Sequence, residues 1–219
     1  YYKEYADSIY NNRFIAFSGF PRYLVDRKST GTHQGTSLIS EYVTHGQDFG
    51  FAEINLTTNY DSLLRELTVS TELEFATNYD NLNLALVITE DSVKNITEPG
   101  YNQTNAYNGG NNGPMASSSV NFETYGNPVP APLMDYKYVA RKIIPSFSGS
   151  SSALPSAVKA DSLYSYTFPA YNVPSECNEK KLRAIVLLID PSNGQVLNTN
   201  GKDVFETSAL NISELNSSY

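Results

Sequence analysis

An alternation of apolar and polar side chains over residues 67–75 constrains the fold of this chain more than any other feature of its sequence. Leu67, Val69, Leu73 and Phe75 recur at every second position, with Thr71 between them, while polar side chains occupy the positions in between. A period of two matches a β-strand with one buried and one solvated face, and it does not match the helical period of 3.6. The sequence therefore predicts at least one sheet that covers a hydrophobic core.

Several other segments have strand-like composition and are bounded by turn residues. They are residues 51–56, 82–89, 137–144, 163–168 and 182–189. Residues 82–89 are apolar almost throughout, which indicates a central strand buried on both faces. Strands of this number and length predict a mainly β fold, an antiparallel β-sandwich of jelly-roll type.

The turn at residues 190–194 predicts a hairpin into the strand that follows. Asp190, Ser192 and Asn193 carry side-chain oxygens, which would also suit calcium, but no bidentate Glu follows at the spacing of a calcium loop. Asp, Pro, Asn and Gly are the residues that tight turns prefer. The pattern favours a hairpin turn over a metal site.

Charge and cysteine content exclude several classes of function. The net charge is −8, and no run of Lys and Arg opposes it, which disfavours nucleic acid and anionic membranes as partners. Cys177 is the one cysteine, so an internal disulfide and zinc sites built on several Cys are excluded. No apolar run is long enough for a membrane-spanning helix. His33 and His45 lie in no nucleophile motif, and we expect no catalytic residue, no metal and no cofactor.

The first 28 residues differ in pattern from the rest. Apolar positions spaced three and four apart predict a short helix over residues 2–11, followed by strands at residues 14–17 and 22–27. Residues 29–35 have the composition of a linker. The remainder, from about Leu38, has β character.

The phrase Gly19-Phe20-Pro21, between two strands and after a helix, resembles the cis-proline corner of the thioredoxin fold. The resemblance implies that Pro21 is a cis residue. Residues 1–33 would then be the C-terminal fragment of a thioredoxin-like domain plus a linker, and residues 34–219 a β-sandwich domain. The chain has no Cys-x-x-Cys, which thiol exchange requires. Alternatively, the first 28 residues are simply an N-terminal helix and hairpin of the β domain.

Four phrases in the β region together resemble a known family. They are residues 83–91, 113–115, 136–141 and 184–190. In this order they are similar to the 28-kilodalton outer-membrane-protein family of Gram-negative anaerobes, whose members carry a thioredoxin-like part before a β-sandwich. The resemblance implies an exported protein at the outer membrane or cell surface, with a possible lipid anchor outside this chain.

The resemblance implies a non-catalytic cell-envelope binding or accessory module, with an envelope protein, a peptide or a glycan as partner. Two alternatives remain open. The chain would be the non-catalytic portion of an exported thiol–disulfide oxidoreductase, or a surface carbohydrate-binding protein.

Five tyrosines in and after the long polar segment that begins at residue 101 are candidates for ligand stacking. They are Tyr101, Tyr107, Tyr125, Tyr136 and Tyr138. Tyrosine offers a large rigid ring with a polar tip, which suits sugar rings or peptide. The alternative is that these rings are ordinary strand aromatics.

Four serines lie in the pattern Asp-Ser-apolar. They are Ser8, Ser62, Ser92 and Ser162. The pattern resembles the acceptor motif for O-linked glycans on exported proteins of the same bacterial group. It predicts a glycoprotein if these side chains are exposed.

Overall fold

A computed structural model describes residues 22–32, 35–45, 50–95, 97–110 and 121–205 of the 219-residue chain. These residues form two compact units. The larger unit combines the residues up to Thr89 with those from Ala140 onward, and the smaller unit is Glu90–Val139. The expected domain boundary at residue 33 stays a prediction.

The larger unit is built almost entirely from strands. Its elements, in chain order, are β1 Arg22–Val25, β2 Ser29–Thr32, α1 Gly35–His45, β3 Ala52–Asp61, β4 Glu66–Phe75, β5 Tyr79–Asp80, β6 Asn83–Glu90, β7 Val139–Ile144, β8 Ala157–Val158, β9 Leu163–Thr167, β10 Tyr171–Asn172, β11 Leu182–Ile189 and β12 Val196–Asp203. A short 3₁₀ turn lies at Glu179–Lys181 in this unit, and three more lie in the smaller unit, at Pro99–Tyr101, Phe122–Thr124 and Ala131–Leu133.

Two four-stranded sheets make the body of the larger unit. In one, β4 pairs with β3 on one side and with β9 and β10 on the other. The other has the order β12-β11-β6-β7. Two small sheets, β1 with β2 and β5 with β8, complete the set. The described strand pairings are antiparallel, which confirms the predicted mainly β class and is consistent with a β-sandwich.

One hydrophobic core lies between the two large sheets. It includes Leu67, Val69, Leu73 and Phe75 of β4, Leu84, Leu86 and Ile88 of β6, and Ala184, Val186 and Leu188 of β11. The alternation predicted for residues 67–75 is confirmed, since all five side chains of the predicted inner face are buried. Thr71 belongs to that face, and its hydroxyl donates to the carbonyl oxygen of Asn55 at 2.9 Å. That bond satisfies a polar group that would otherwise destabilise the core.

Strand β6 is buried along its whole length, as its composition predicts. Leu84, Leu86 and Ile88 face the main core, whereas Ala85 and Val87 belong to a second cluster. The second cluster also contains Ile143, Ile189 and Val196. A strand with both faces covered needs no polar positions, which explains its lack of alternation.

Side-chain amides connect the edge strand of one sheet to the edge strand of the other. Asn200 Nδ2 donates to the carbonyl oxygen of Ile54 at 2.6 Å, and Asn198 Nδ2 donates to that of Ala52. Carbonyls on an open edge invite pairing with other chains. The two asparagines of β12 therefore cap part of the β3 edge.

The N-terminal region differs from two expectations. Residues 29–32 were predicted as linker, but they form β2 and pair with β1, because Asp26 and Arg27 adopt the positive φ values that a primed hairpin turn requires. The β character expected from Leu38 is wrong for residues 38–45, which lie in α1. Leu38, Ile39, Tyr42 and Val43 have helical spacing, which the β interpretation missed.

The strand predicted over residues 22–27 is confirmed in β1. Pro21, the helix predicted over residues 2–11 and the strand at residues 14–17 lie outside the described residues. The thioredoxin-like fragment stays a prediction.

Candidate functional site

The smaller unit, Glu90–Val139, folds its outgoing and returning halves against each other. Val93 and Tyr136 form an antiparallel bridge, with N–H to O distances of 2.8 and 3.0 Å. Gln103 and Val129 form a second bridge, with distances of 3.0 and 2.8 Å. Two bridges of this kind hold a long connection in one conformation at its base and at its middle.

Asn105 organises the unit above the second bridge. Its side chain is buried, and Nδ2 lies 2.7 Å from the carbonyl oxygen of Phe122, with those of Tyr125 and Gly126 at 3.3 and 3.2 Å. Its Oδ1 accepts the backbone N–H of Tyr107 at 3.1 Å. One buried amide therefore fixes backbone groups on both halves of the unit, and its own polar atoms are satisfied.

The same asparagine ties the main chain at Tyr107 to the main chain at Tyr125. Asn108, beside Tyr107, donates from Nδ2 to the carbonyl oxygen of Tyr125 at 2.6 Å. The Tyr125 ring packs edge-to-face on Phe122, with centroids 5.9 Å apart. Both tyrosines are half-buried. Rings held from one side with the other part exposed are suited to ligand contact.

Tyr101 and Tyr136 form a second aromatic pair. Their centroids are 6.2 Å apart at an interplanar angle of 67°, and the Tyr136 hydroxyl donates to the carbonyl oxygen of Tyr101 at 2.9 Å. Tyr138 stands apart, 66% exposed and with a φ of 50°. Of the five candidate tyrosines, Tyr101 and Tyr136 form a ring pair, and Tyr125 packs on Phe122.

Four asparagines of this unit share an arrangement that the sequence interpretation missed. They are Asn95, Asn102, Asn121 and Asn127, and each amide oxygen accepts one or more backbone N–H groups. Because a backbone N–H can only donate, the oxygen position is fixed and the NH₂ group must point away. None of the four NH₂ groups has a hydrogen-bond partner among the described residues. The Asn-rich composition of the segment was the available signal.

Ser92 lies in a charged cluster at the base of the same unit. Lys137 Nζ donates to Ser92 Oγ at 2.7 Å, and it lies 3.3 Å from Asp135 and 3.8 Å from Asp91. Lys94 approaches Asp135 at 3.5 Å. A Ser–Lys pair can be catalytic when a neutral lysine accepts the serine proton. Here Lys137 lies beside two carboxylates as well as the hydroxyl, which is the geometry of an ion-pair network.

The other described Asp-Ser-apolar motifs lie in turns of the larger unit. Ser62 is exposed at the tip of the β3–β4 hairpin, where Asp61 Oδ1 accepts the N–H groups of Leu63 and Leu64 at 2.8 and 3.0 Å. Ser162 is half-buried just before β9. Ser8 lies outside the described residues. Among these serines, Ser62 offers the most accessible hydroxyl.

The turn predicted at residues 190–194 is confirmed. Asp190 Oδ1 accepts from the backbone N–H and hydroxyl of Ser192 at 2.8 and 2.6 Å, while Oδ2 accepts from Asn193 and Tyr79. Burial alone would raise the pKa of Asp190, but these hydrogen bonds outweigh it and hold that pKa below its ordinary value. Burial raises the pKa of Tyr79, and the Asp190 carboxylate adds to the effect. The Asp190 carboxylate therefore stabilises the turn between β11 and β12.

Within the described ranges, no three His, Cys, Asp or Glu side chains are grouped so that they could hold a metal ion. The one helix among them is too short and too polar to cross a bilayer. Comparison of the sequence with protein-family models and with curated proteins gave no match.

Proposed function

We propose that this chain is a non-catalytic binding or accessory module of the cell envelope, and that the Glu90–Val139 unit carries its contact surface. The observation that supports this most is the buried amide of Asn105, whose bonds reach Phe122, Tyr125 and Tyr107. A satisfied buried polar group gives a loop one defined conformation. Preorganised aromatic side chains lose little entropy when a ligand binds.

The position of the unit in the chain supports the same function. It connects β6 and β7, which are neighbours in one large sheet. A connection of this length far exceeds what two neighbouring strands need, and such insertions usually serve binding or catalysis. Its aromatic contacts favour binding, and Lys137 lies in an ion-pair network with the Asp91 and Asp135 carboxylates.

A binding assay on the whole chain tests this function. The chain would be immobilised and exposed to envelope polysaccharides, envelope proteins and peptide pools from the native source. Replacement of Tyr107 and Tyr125 together by Ala is expected to abolish binding, whereas Tyr42→Ala, at an exposed tyrosine of α1, is expected to leave it unchanged. Equal binding by both variants, or turnover of a substrate by the purified chain, would contradict the proposal.

The envelope location and the N-terminal architecture belong to the same proposal. The family resemblance supports an outer-membrane or cell-surface address, a lipid anchor outside this chain, a jelly-roll-like sandwich and a thioredoxin-like fragment over residues 1–33. Fractionation of native cells tests the cell-surface location. Mass spectrometry of peptides that contain Ser62 tests the predicted O-glycosylation. An experimental structure in which Pro21 is trans and residues 1–33 belong to the β-sandwich would contradict the proposed thioredoxin-like fragment.

A further inference from the structure

The described residues around the proposed contact surface carry almost no charge. Residues 99–110 and 121–134 contain a single acidic or basic side chain, Glu123. The two lysines nearest in sequence, Lys94 and Lys137, both pair with Asp135. An anionic ligand would meet no unpaired cation among these residues, and a cationic ligand would meet little negative charge. The electrostatics of the segment therefore favour a neutral ligand.

Four asparagine amides of the Glu90–Val139 unit have an NH₂ group that can still donate a hydrogen bond to a ligand. The NH₂ groups of Asn95, Asn102, Asn121 and Asn127 point away from the backbone groups that their oxygens bind. The phenol hydroxyls of Tyr101, Tyr107 and Tyr125 likewise have no partner among the described residues. A matching ligand therefore carries many neutral oxygen acceptors.

The ring faces add the second requirement. Asn105 and Asn108 tie the main chains at Tyr107 and Tyr125 to each other, and both tyrosine side chains are half-buried. A flat apolar ligand face packs on such a ring and removes area from water on both sides. The ligand should combine apolar faces with oxygens around its perimeter.

We infer that the Tyr107–Tyr125 surface takes a neutral oligosaccharide, whose pyranose or furanose faces stack on the rings and whose hydroxyl and ring oxygens accept from the asparagine amides. This inference rests on the proposed binding function and specifies its ligand class. Sugar rings supply both requirements at once: apolar C–H faces and a perimeter of neutral oxygens.

A peptide fits the same groups less well. Extended peptides add to an open strand edge or insert side chains into apolar pockets. Within this unit the backbone groups of Gln103 and Val129 are already paired with each other, and those of Val93 and Tyr136 likewise. Side-chain amides and phenols do not reproduce the regular spacing of a strand edge.

The test is a binding screen of the full chain against three sets of probes: neutral oligosaccharides from glucans, mannans, galactans and xylans, oligosaccharides of uronic acids, and a peptide library. At least one neutral oligosaccharide is expected to bind. Its Kd is expected to stay within about twofold between low and high salt, because an uncharged ligand has no charge to screen.

Variants locate the site. Tyr125→Ala is expected to weaken that binding by roughly tenfold, while Tyr125→Phe, which keeps the ring, should weaken it less. Asn102→Asp is the sharpest variant. It keeps an oxygen for the N–H of Ala131 and replaces only the outward NH₂, so binding should weaken several-fold while the thermal midpoint is nearly unchanged. Tyr42→Ala serves as the control.

The possible results distinguish the neutral-sugar inference from the more general binding function. Binding only to uronic-acid oligosaccharides or peptides, lost in Tyr125→Ala, would overturn the neutral-sugar inference and leave the binding function in place. Neutral-sugar binding that ignores Tyr125→Ala and Asn102→Asp would overturn this site. A folded chain that binds none of the three probe sets would overturn the inference. If the folded chain also fails to bind native envelope material, the proposed binding function is contradicted as well.

Discussion

The buried side-chain amide of Asn105 donates to the carbonyl oxygen of Phe122 at 2.7 Å, across 17 residues of the chain. The same amide group also approaches the carbonyls of Tyr125 and Gly126. These contacts make one asparagine the common support of both halves of the aromatic surface. Removal of the Asn105 side chain should therefore weaken binding, although this side chain is buried and does not contact the ligand.

Asn105→Ala is expected to loosen the Glu90–Val139 unit. The change removes the donor to the carbonyls of Phe122 and Gly126 and the acceptor of the Tyr107 N–H, a cost of about 1–3 kcal/mol. Amide hydrogen exchange should accelerate over residues 101–108 and 121–127, and sugar affinity should fall. The exposed Asn59 of β3 offers a control, since Asn59→Ala should leave both unchanged. Unaltered exchange in Asn105→Ala would show that this amide does not support the unit.

Arg65 joins the β3–β4 hairpin to the segment that follows β10. Its guanidinium donates to the carbonyls of Val173, Pro174 and Cys177 at 2.9–3.2 Å and to the Glu179 carboxylate at 2.8 Å. Arg65→Ala is therefore expected to lower the free energy of unfolding by about 1–3 kcal/mol.

Arg65→Lys should recover little of that stability, because one ammonium cannot reproduce the planar fork. Arg183 provides the comparison, since it bonds one carbonyl and the exposed Asp203. Arg183→Ala should lower the free energy of unfolding, measured by urea titration, by less than Arg65→Ala does. Equal losses for the two alanine variants would refute the special role of Arg65.

Gly149 lies where a side chain has no room. Its φ is +77°, and a Cβ at this position would sit 2.8 Å from the carbonyl oxygen of Leu84 in the central strand β6. Gly149→Ala is expected to destabilise the chain by about 1–3 kcal/mol, through backbone strain and a contact with buried main chain. The measurement is thermal unfolding.

Gly100 is the matched control, because a Cβ there would meet nothing within 4 Å. Gly100→Ala is expected to shift the free energy of unfolding by no more than about 0.5 kcal/mol. A Gly149→Ala chain as stable as Gly100→Ala would mean that β6 and the turn at Gly149 are not packed as described.

Asp190 makes the stability of the β11–β12 turn depend on pH. Its pKa is lower in the folded chain than its ordinary value, so its contribution is fully present above the unfolded pKa of roughly 3.9 and is lost as pH falls through the folded pKa. Asp190→Asn should therefore be less stable than the unaltered chain at neutral pH. The difference should shrink as the pH falls below about 4. A difference that stays constant from pH 7 to pH 2 would contradict this assignment.

The sequence was most informative where burial is periodic. The alternation over residues 67–75 predicted β4, because a pleated strand with one buried face imposes that spacing, and the strand-like composition of residues 182–189 predicted β11. Strand β6 was recognisable from its unbroken apolar run. Helix α1 was missed although its apolar residues have helical spacing, and strand β2 was missed because its structure depends on pairing with β1.

The candidate surface was predictable only in part. The tyrosines were visible as a group, but the pairing of Tyr101 with Tyr136 depends on a contact across 35 residues. Nothing local distinguishes Asn105 from the many asparagines around it, because its partners lie 17 to 22 residues away. Long-range hydrogen bonds leave no periodic trace in a sequence.

A hydrogen-exchange footprint tests the central claim most directly. The full chain would be compared with and without the tightest-binding neutral oligosaccharide of the screen. The account predicts protection of backbone amides over residues 101–108 and 121–127, with little change around α1 or the Leu63–Leu64 hairpin tip. Protection confined to α1 or to that tip, with the smaller unit unchanged, would contradict it.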